Sequence, residues 1–373
     1  MPTRTQTCSL ARGWNTYIHN NPERETTMKN RLFVLGLGSA ILLSACGGGG
    51  GSSGTTNGGN GSGNSPAPVV TTPASTLSPV TAANAPQVAA SAYASSMAIS
   101  DSSTPVNGFL TGVSMGGTHI GVVAPVLDLV RKLYPRTRPL LTGVVVTEAC
   151  TGSGTMTVEA NLRNSQTISN GDTLKVTATN CFEEGVIING TILIAMSNIT
   201  GDILNSYNWG ATLDTTFTGF SVRSGAEMAS VSGDMKIAMT QTGMSTSSVN
   251  VSGKALQVVE QRSNVTLGTY TLSDYTMNDV INGTTVRSAA NFTISGNSSA
   301  LGQFSYTVKN REPFVSNQTS NPYSGSLIVN GASSSVTLTT TSVSSVRLDF
   351  SAKGDGSITQ TSNLSWTELM AAL

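Results

Sequence analysis

From Gly143 onward, apolar residues recur at every second position. Met156, Val158, Ala160 and Leu162 alternate with mostly polar neighbours, as do Leu174 and Val176, then Met235, Ile237 and Met239, then Leu256 and Val258. Phe292 and Ile294, Phe304, Tyr306 and Val308, Val336 and Leu338, and Val346, Leu348 and Phe350 continue the scheme. A period of two means strands with one buried and one wet face, the antiparallel arrangement. Turn signals punctuate the runs: Asn170-Gly171-Asp172, Asn189-Gly190, Ser232-Gly233-Asp234, Asn282-Gly283, Asn330-Gly331 and Gly354-Asp355-Gly356. The spacing leaves room for about twelve to fifteen strands, more than one flat sheet holds without curling or splitting. The pattern therefore predicts a mainly β fold, either a large antiparallel β-sandwich or a curved, partly closed sheet. Short similarities around Gly190, Gly233 and Gly325 are unequally spaced, which fits a meander of hairpins and excludes a strict repeat array.

Before Gly143 the period is helical in two places. Gln87 to Ile99 is Ala-rich, and His119 to Tyr134 places Ile120, Val123, Val126, Leu127, Val130 and Leu133 largely on one face. Pro125 predicts a kink in the second segment.

The N-terminal part carries an address. Met28-Lys29-Asn30-Arg31, an apolar run from Leu32 to Leu43, and Ser44-Ala45-Cys46 form a basic region, a hydrophobic region and a small-residue cleavage site. The run is shorter than the roughly twenty residues of a membrane span. Residues 1–27 fit no targeting pattern and read as upstream of the true initiator, Met28, which removes Cys8 and His19 from any chemistry. Leu43-Ser44-Ala45-Cys46 resembles the bacterial lipobox. The resemblance implies that Cys46 becomes an acylated first residue, and Gly47 behind it, in place of Asp, implies the outer membrane. Two or three acyl chains make a stable anchor. Residues 47–64 are almost wholly Gly, Ser, Thr and Asn, a composition that cannot bury enough apolar surface to offset chain entropy, and residues 65–86 add Pro. The expected organisation is a signal peptide at 28–45, a lipidated tether at 46–86, helical segments at 87–141 and an antiparallel β domain at 142–373.

Charge narrows the function classes. The 373 residues include 20 basic and 20 acidic side chains. From Cys46 on, 15 basic face 18 acidic groups. A nucleic-acid partner needs a basic excess and is excluded. Aromatic residues at 5% are too few to girdle an integral outer-membrane barrel at both interfaces.

Few residues offer chemistry. Cys150 and Cys181 are left as a pair in an exported chain, where an oxidising compartment favours a disulfide stapling the first long hairpin. Gly112-Val113-Ser114-Met115-Gly116 matches the nucleophile elbow of α/β-hydrolases. That chemistry needs a His late in the chain, and His119, five residues past Ser114, is the last one. A turn leading into a helix explains the motif better. Metal ligation has no constellation of His and Cys, and Lys353-Gly354-Asp355-Gly356-Ser357 lacks the carboxylates of a calcium loop and reads as a β-turn. Glu183-Glu184 reads as a solvated hairpin tip. No cofactor is implied.

Several stretches resemble a group of uncharacterised proteobacterial outer-membrane lipoproteins. They are the Cys150 and Cys181 pair, Asn180-Cys181-Phe182-Glu183-Glu184-Gly185, Ile188-Asn189-Gly190, Tyr323-Ser324-Gly325-Ser326-Leu327, Val346-Arg347-Leu348 and Gly354-Asp355-Gly356. The resemblance covers roughly Thr142 to Leu373 and implies architecture, not activity. The expected function is a non-enzymatic lipoprotein of the outer membrane, partnered by the membrane through its anchor, with a structural or binding role. Two alternatives are a carrier of lipid or another apolar ligand, and a surface adhesin.

Overall fold

The computed structural model describes residues 76–96, 143–164, 167–183, 185–203, 206–299, 301–317 and 320–373. The signal segment, Cys46, Ser114, His119 and the helix expected over 119–134 lie outside the described residues.

Among the described residues one helix, α1 (Ala85–Ser96), precedes fourteen strands. These are β1 (Val144–Ala149), β2 (Ser153–Asn161), β3 (Thr173–Glu183), β4 (Val186–Gly201), β5 (Asn208–Ser224), β6 (Glu227–Thr242), β7 (Thr246–Arg262) and β8 (Val265–Asn282). There follow β9 (Thr285–Ser298), β10 (Gly302–Asn317), β11 (Ser324–Gly331), β12 (Ser334–Ser342), β13 (Ser345–Ser351), β14 (Gln360–Ser365) and a one-turn helix, α2 (Trp366–Met370). Every strand pairs antiparallel with its neighbours in sequence, giving one fourteen-stranded sheet that does not close, with β1 and β14 at its two ends. Of the two forms left open by the pattern, the sandwich of two sheets is not the one adopted.

The central strands run to as many as 18 residues, far beyond the usual five or six. A line of bulges crosses the sheet. Register shifts fall at Ala178/Cys181 between β3 and β4, Phe217/Phe220 between β5 and β6, and Gly233/Lys236 between β6 and β7. The line continues at Ser273/Thr276 between β8 and β9, and at Lys309/Phe314 between β9 and β10. Each bulge bends and twists its strand, which lets a wide sheet curve. It also shifts the buried phase. On β8 the inward residues are Tyr270 and Leu272 before the bulge, then Tyr275 and Met277 after it.

Two of the expected turns are in fact parts of this line. Asn189-Gly190 and Ser232-Gly233-Asp234 lie inside β4 and β6, not between strands. The cause is that a bulge asks for the same residues as a tight turn: a glycine at positive φ and an Asn or Asp to satisfy the backbone it disrupts. Gly233 has φ +126°, and a Cβ there would overlap the carbonyl oxygen of Ala255 on β7. The Asp234 carboxylate accepts from the backbone N–H groups of Lys254 at 3.0 Å and Ala255 at 3.2 Å. Asn189 Oδ1 likewise accepts from the Asn180 N–H at 2.7 Å, and Asn310 Oδ1 from Ala290 at 2.7 Å. Gly233→Ala is therefore expected to destabilise by about 2 kcal/mol or more, read as a lower urea midpoint, since strain at such φ alone costs roughly 1–3 kcal/mol.

One apolar cluster runs along the inner face from Ala160 on β2 to Leu348 on β13 and includes Val80 and α1. Before α1, Ser78 bridges two elements: its N–H donates to Ser305 O at 2.8 Å, and its carbonyl accepts from Ala332 at 2.9 Å. Thr81 and Asn84 cap the helix reciprocally, each side-chain oxygen accepting from the other's backbone N–H. The helix spans Ala85–Ser96, two residues earlier than the Ala-rich stretch suggested. Its small residues Ala85, Ala89, Ala90 and Ala92 are buried and let its backbone approach β9 and β11–β13 closely. Tyr93 packs edge-on to Phe314 at 5.2 Å and against Trp366 at 4.6 Å. Ser365 and Glu368 form a capping box that starts α2 and holds Trp366 in place.

Candidate functional site

Cys150 and Cys181 are bonded, with Cα atoms 5.4 Å apart. The geometry differs from the expected staple of one hairpin. Cys150 sits just past β1 and Cys181 on β3, so the bridge reaches across the end of β2 and ties next-nearest strands. The β1–β2 turn leans over to allow it: the Gly152 N–H donates to Phe182 O at 3.1 Å. Glu183 belongs to the same knot. Its Oε2 accepts from Thr151 Oγ1 at 2.8 Å and its Oε1 from the Thr151 N–H at 3.1 Å, so it secures the turn. Glu184 lies outside the described residues. Glu183 and the two sulfurs all lie within 4.8 Å of one another, and Met156 packs beside the bridge. The sulfurs are spent in the disulfide, which leaves no thiolate for a metal in this state.

The Lys353–Ser357 segment is the turn it was expected to be. Asp355 accepts from the Ser357 N–H at 2.9 Å and from the Ser357 hydroxyl, and these bonds hold its carboxyl below the ordinary range.

The inner face carries three perturbed phenols. Burial pushes Tyr270 up to about 12, with the nearby Glu260 charge adding to it, and raises Tyr275 and Tyr306 in the same direction. Tyr275 donates to Asp234 O at 2.6 Å, tying the inner face to the bulge line. Tyr270, Phe304 and Tyr306 form an aromatic run across β8 and β10. A phenol raised in the folded state favours folding while neutral. That contribution is complete below pH 10 and is lost as pH rises from 10 through about 12. Alkaline titration followed at 295 nm should show these tyrosines ionising only together with unfolding.

The outer face is built from short polar side chains. Thr147, Thr157, Thr177, Thr191 and Thr218 stand opposite one another on five successive strands, β1 to β5. Two of these pairs are joined hydroxyl to hydroxyl, Thr147 to Thr157 at 2.9 Å and Thr177 to Thr191 at 3.1 Å. Thr240 and Ser248 make a similar link at 2.6 Å between β6 and β7. Cross-strand ion pairs punctuate the hydroxyls: Lys175 with Glu159 at 2.8 Å and Lys236 with Asp214 at 3.5 Å. Sequence reasoning read these positions only as the wet half of the alternation. The ladder required knowledge of the register.

No helix among the described residues is long and apolar enough to cross a membrane. No family model, curated protein or solved structure matches the chain.

Proposed function

We propose that the chain is a non-enzymatic, lipid-anchored protein of the bacterial outer membrane whose sheet serves a structural or binding role. The anchoring half of the reading rests on Leu43-Ser44-Ala45-Cys46. The binding half rests on one structural observation: the inner face at β9–β13 is occupied by α1 and its aromatic contacts, while the outer face offers a broad lawn of hydroxyl and amide groups. A surface of that kind can meet a partner without moving any element of the core. The lipid-carrier reading needs apolar room where Tyr93, Phe314 and Trp366 are packed against one another, and is the weaker of the two.

Expression in a diderm host with labelled palmitate tests the anchor. Label should enter the wild-type chain, and Cys46→Ser should abolish it and abolish recovery of a processed form in outer-membrane fractions. An unlabelled, unprocessed wild-type chain would remove the reading.

A further inference from the structure

The two ends of the sheet differ in chemistry. In a strict meander, alternate turns lie at the same end, so the turns after β2, β4, β6, β8, β10 and β12 share one end with α2. Tyr207, Met244, Tyr323, Val343 and Met370 stand there, all exposed, Met244 at 73% and Tyr207 at 57%. Neighbouring tips at one end are two strands apart, about 10 Å. Four consecutive tips, Gly243-Met244-Ser245, Gly283-Thr284, residues 318–323 and Val343-Ser344, contain no charged residue.

The opposite end is also partly apolar, with Phe182, Val265 and Ile358 exposed, but there the charges gather. Glu183 follows Phe182, Arg262 pairs with Glu227 at 2.8 Å beside Val265, and Lys353 and Asp355 precede Ile358. Bringing that end into an apolar medium means stripping water from several ions, which their pairing does not fully offset. At the first end Arg163 and Asp172 lie in the β2–β3 turn, Asp202 in the β4–β5 turn and Glu368 in α2, whereas the four consecutive tips between β6 and β13 carry no such cost.

We propose that these four uncharged tips form a membrane-contact rim, with Met244, Tyr323 and Val343 seated in the interfacial layer of a lipid bilayer. This deepens the lipoprotein reading and rests on it for the identity of the membrane. Single apolar side chains on separate tips, spaced like the teeth of a comb, fit a fluid layer that closes around each one. A protein partner would have to present a matching row of pockets. Tyr and Met suit the interface, being apolar with a polar or polarisable part. The absence of a basic cluster at these tips makes the contact independent of anionic lipid.

The chain outside the folded body has the length this orientation needs. Ser78 is fixed near the charged end, against Ser305 at the start of β10 and Ala332 at the β11–β12 turn. An anchor at Cys46 must therefore reach back along the long strands, roughly 50 Å at 3.3 Å per residue. About thirty residues lie between Cys46 and Ser78, with an extended reach of roughly 100 Å. A body standing on its charged end would need almost none of it.

The test uses the chain from residue 46 carrying Cys46→Ser, so that no acyl chain contributes, with neutral vesicles of phosphatidylcholine and phosphatidylethanolamine. The unacylated chain should float with the vesicles. Met244→Asp together with Tyr323→Asp should lower the partition coefficient at least about tenfold, with an unchanged thermal midpoint to show that the fold is intact. Val265→Asp together with Ile358→Asp, at the other end, should leave it within about twofold of the parent. The proposal is overturned if the parent fails to float, if the first pair has no effect, if the second pair has the larger effect, or if binding demands anionic lipid. It is equally overturned if the first pair instead dissolves a dimer detected by light scattering without vesicles. Because no acyl chain is present, these outcomes are independent of whether Cys46 is lipidated, which the palmitate experiment decides.

Discussion

Removing the bridge with Cys150→Ala and Cys181→Ala together should cost about 3.5 kcal/mol, the chain-entropy value for closing a loop of some thirty residues. The loss should be local. Around the bridge the apolar packing is thin: Cys150, Ala178 and Cys181 form a small cluster with Met156 and Ile188, and Val158 and Val176 form another beside it. Ile188 is the apolar link from the bridge cluster to the main core, so the sheet margin from β1 to β3 depends on the disulfide more than β5–β9 do. Hydrogen exchange should show amides of β1 and β2 opening much faster in the double variant while β6–β8 stay protected. Equal acceleration across all strands would mean that the bridge stabilises the whole sheet and the margin is no separate unit.

Tyr93→Ala is expected to cost about 3–5 kcal/mol, the range for deleting a large buried aromatic ring. Its ring fills the space between Phe314 on β10 and Trp366 at the start of α2, so truncation opens a gap on three elements at once. Trp366→Ala should cost a similar amount and also leave Ser342 O without its bond from the indole N–H, which is 3.3 Å long. The two losses should not add, because each variant already forfeits the same ring contact. A double-mutant cycle by urea unfolding should give a coupling of about 0.5–1.5 kcal/mol. A coupling of zero would show that α1 is held by its alanines and the Ser78 strap alone.

The strands were legible because alternation is a local property. Phe292 and Ile294, or Val336 and Leu338, mark a buried face whatever strand lies beside them, and all are buried. What hid the length of the strands was the bulge line. On β7 the buried residues change phase, from Val249 and Val251 to Leu256 and Val258, and only the second pair stands out in the alternation. Gly233-Asp234 on β6 reads as a turn, since a glycine at positive φ followed by a carboxylate serves a hairpin and a bulge equally well. Only the partner strand, presenting Lys254 and Ala255 to the Asp234 carboxylate, distinguishes them.

The disulfide partners followed from counting cysteines in a chain expected to be exported, but the elements they join did not. Spacing along the chain says nothing about a turn folding over an intervening strand, as Gly152 does toward Phe182. The threonine ladder and the unlike sheet ends were hidden for the same reason. Each is a relation between residues 10 to 160 positions apart, created by register and by the parity of a meander.

By itself the sequence determined the mainly β class, the antiparallel pairing, the two cysteines that meet and the expectation of a lipid address, because each depends on composition or on a period of a few residues. The tertiary structure alone decided that the fourteen strands make one open sheet, that two glycine signals bend strands instead of ending them, and that four uncharged tips stand in a row at one end. Those outcomes depend on which backbone stands across from which, and a linear string does not carry that information.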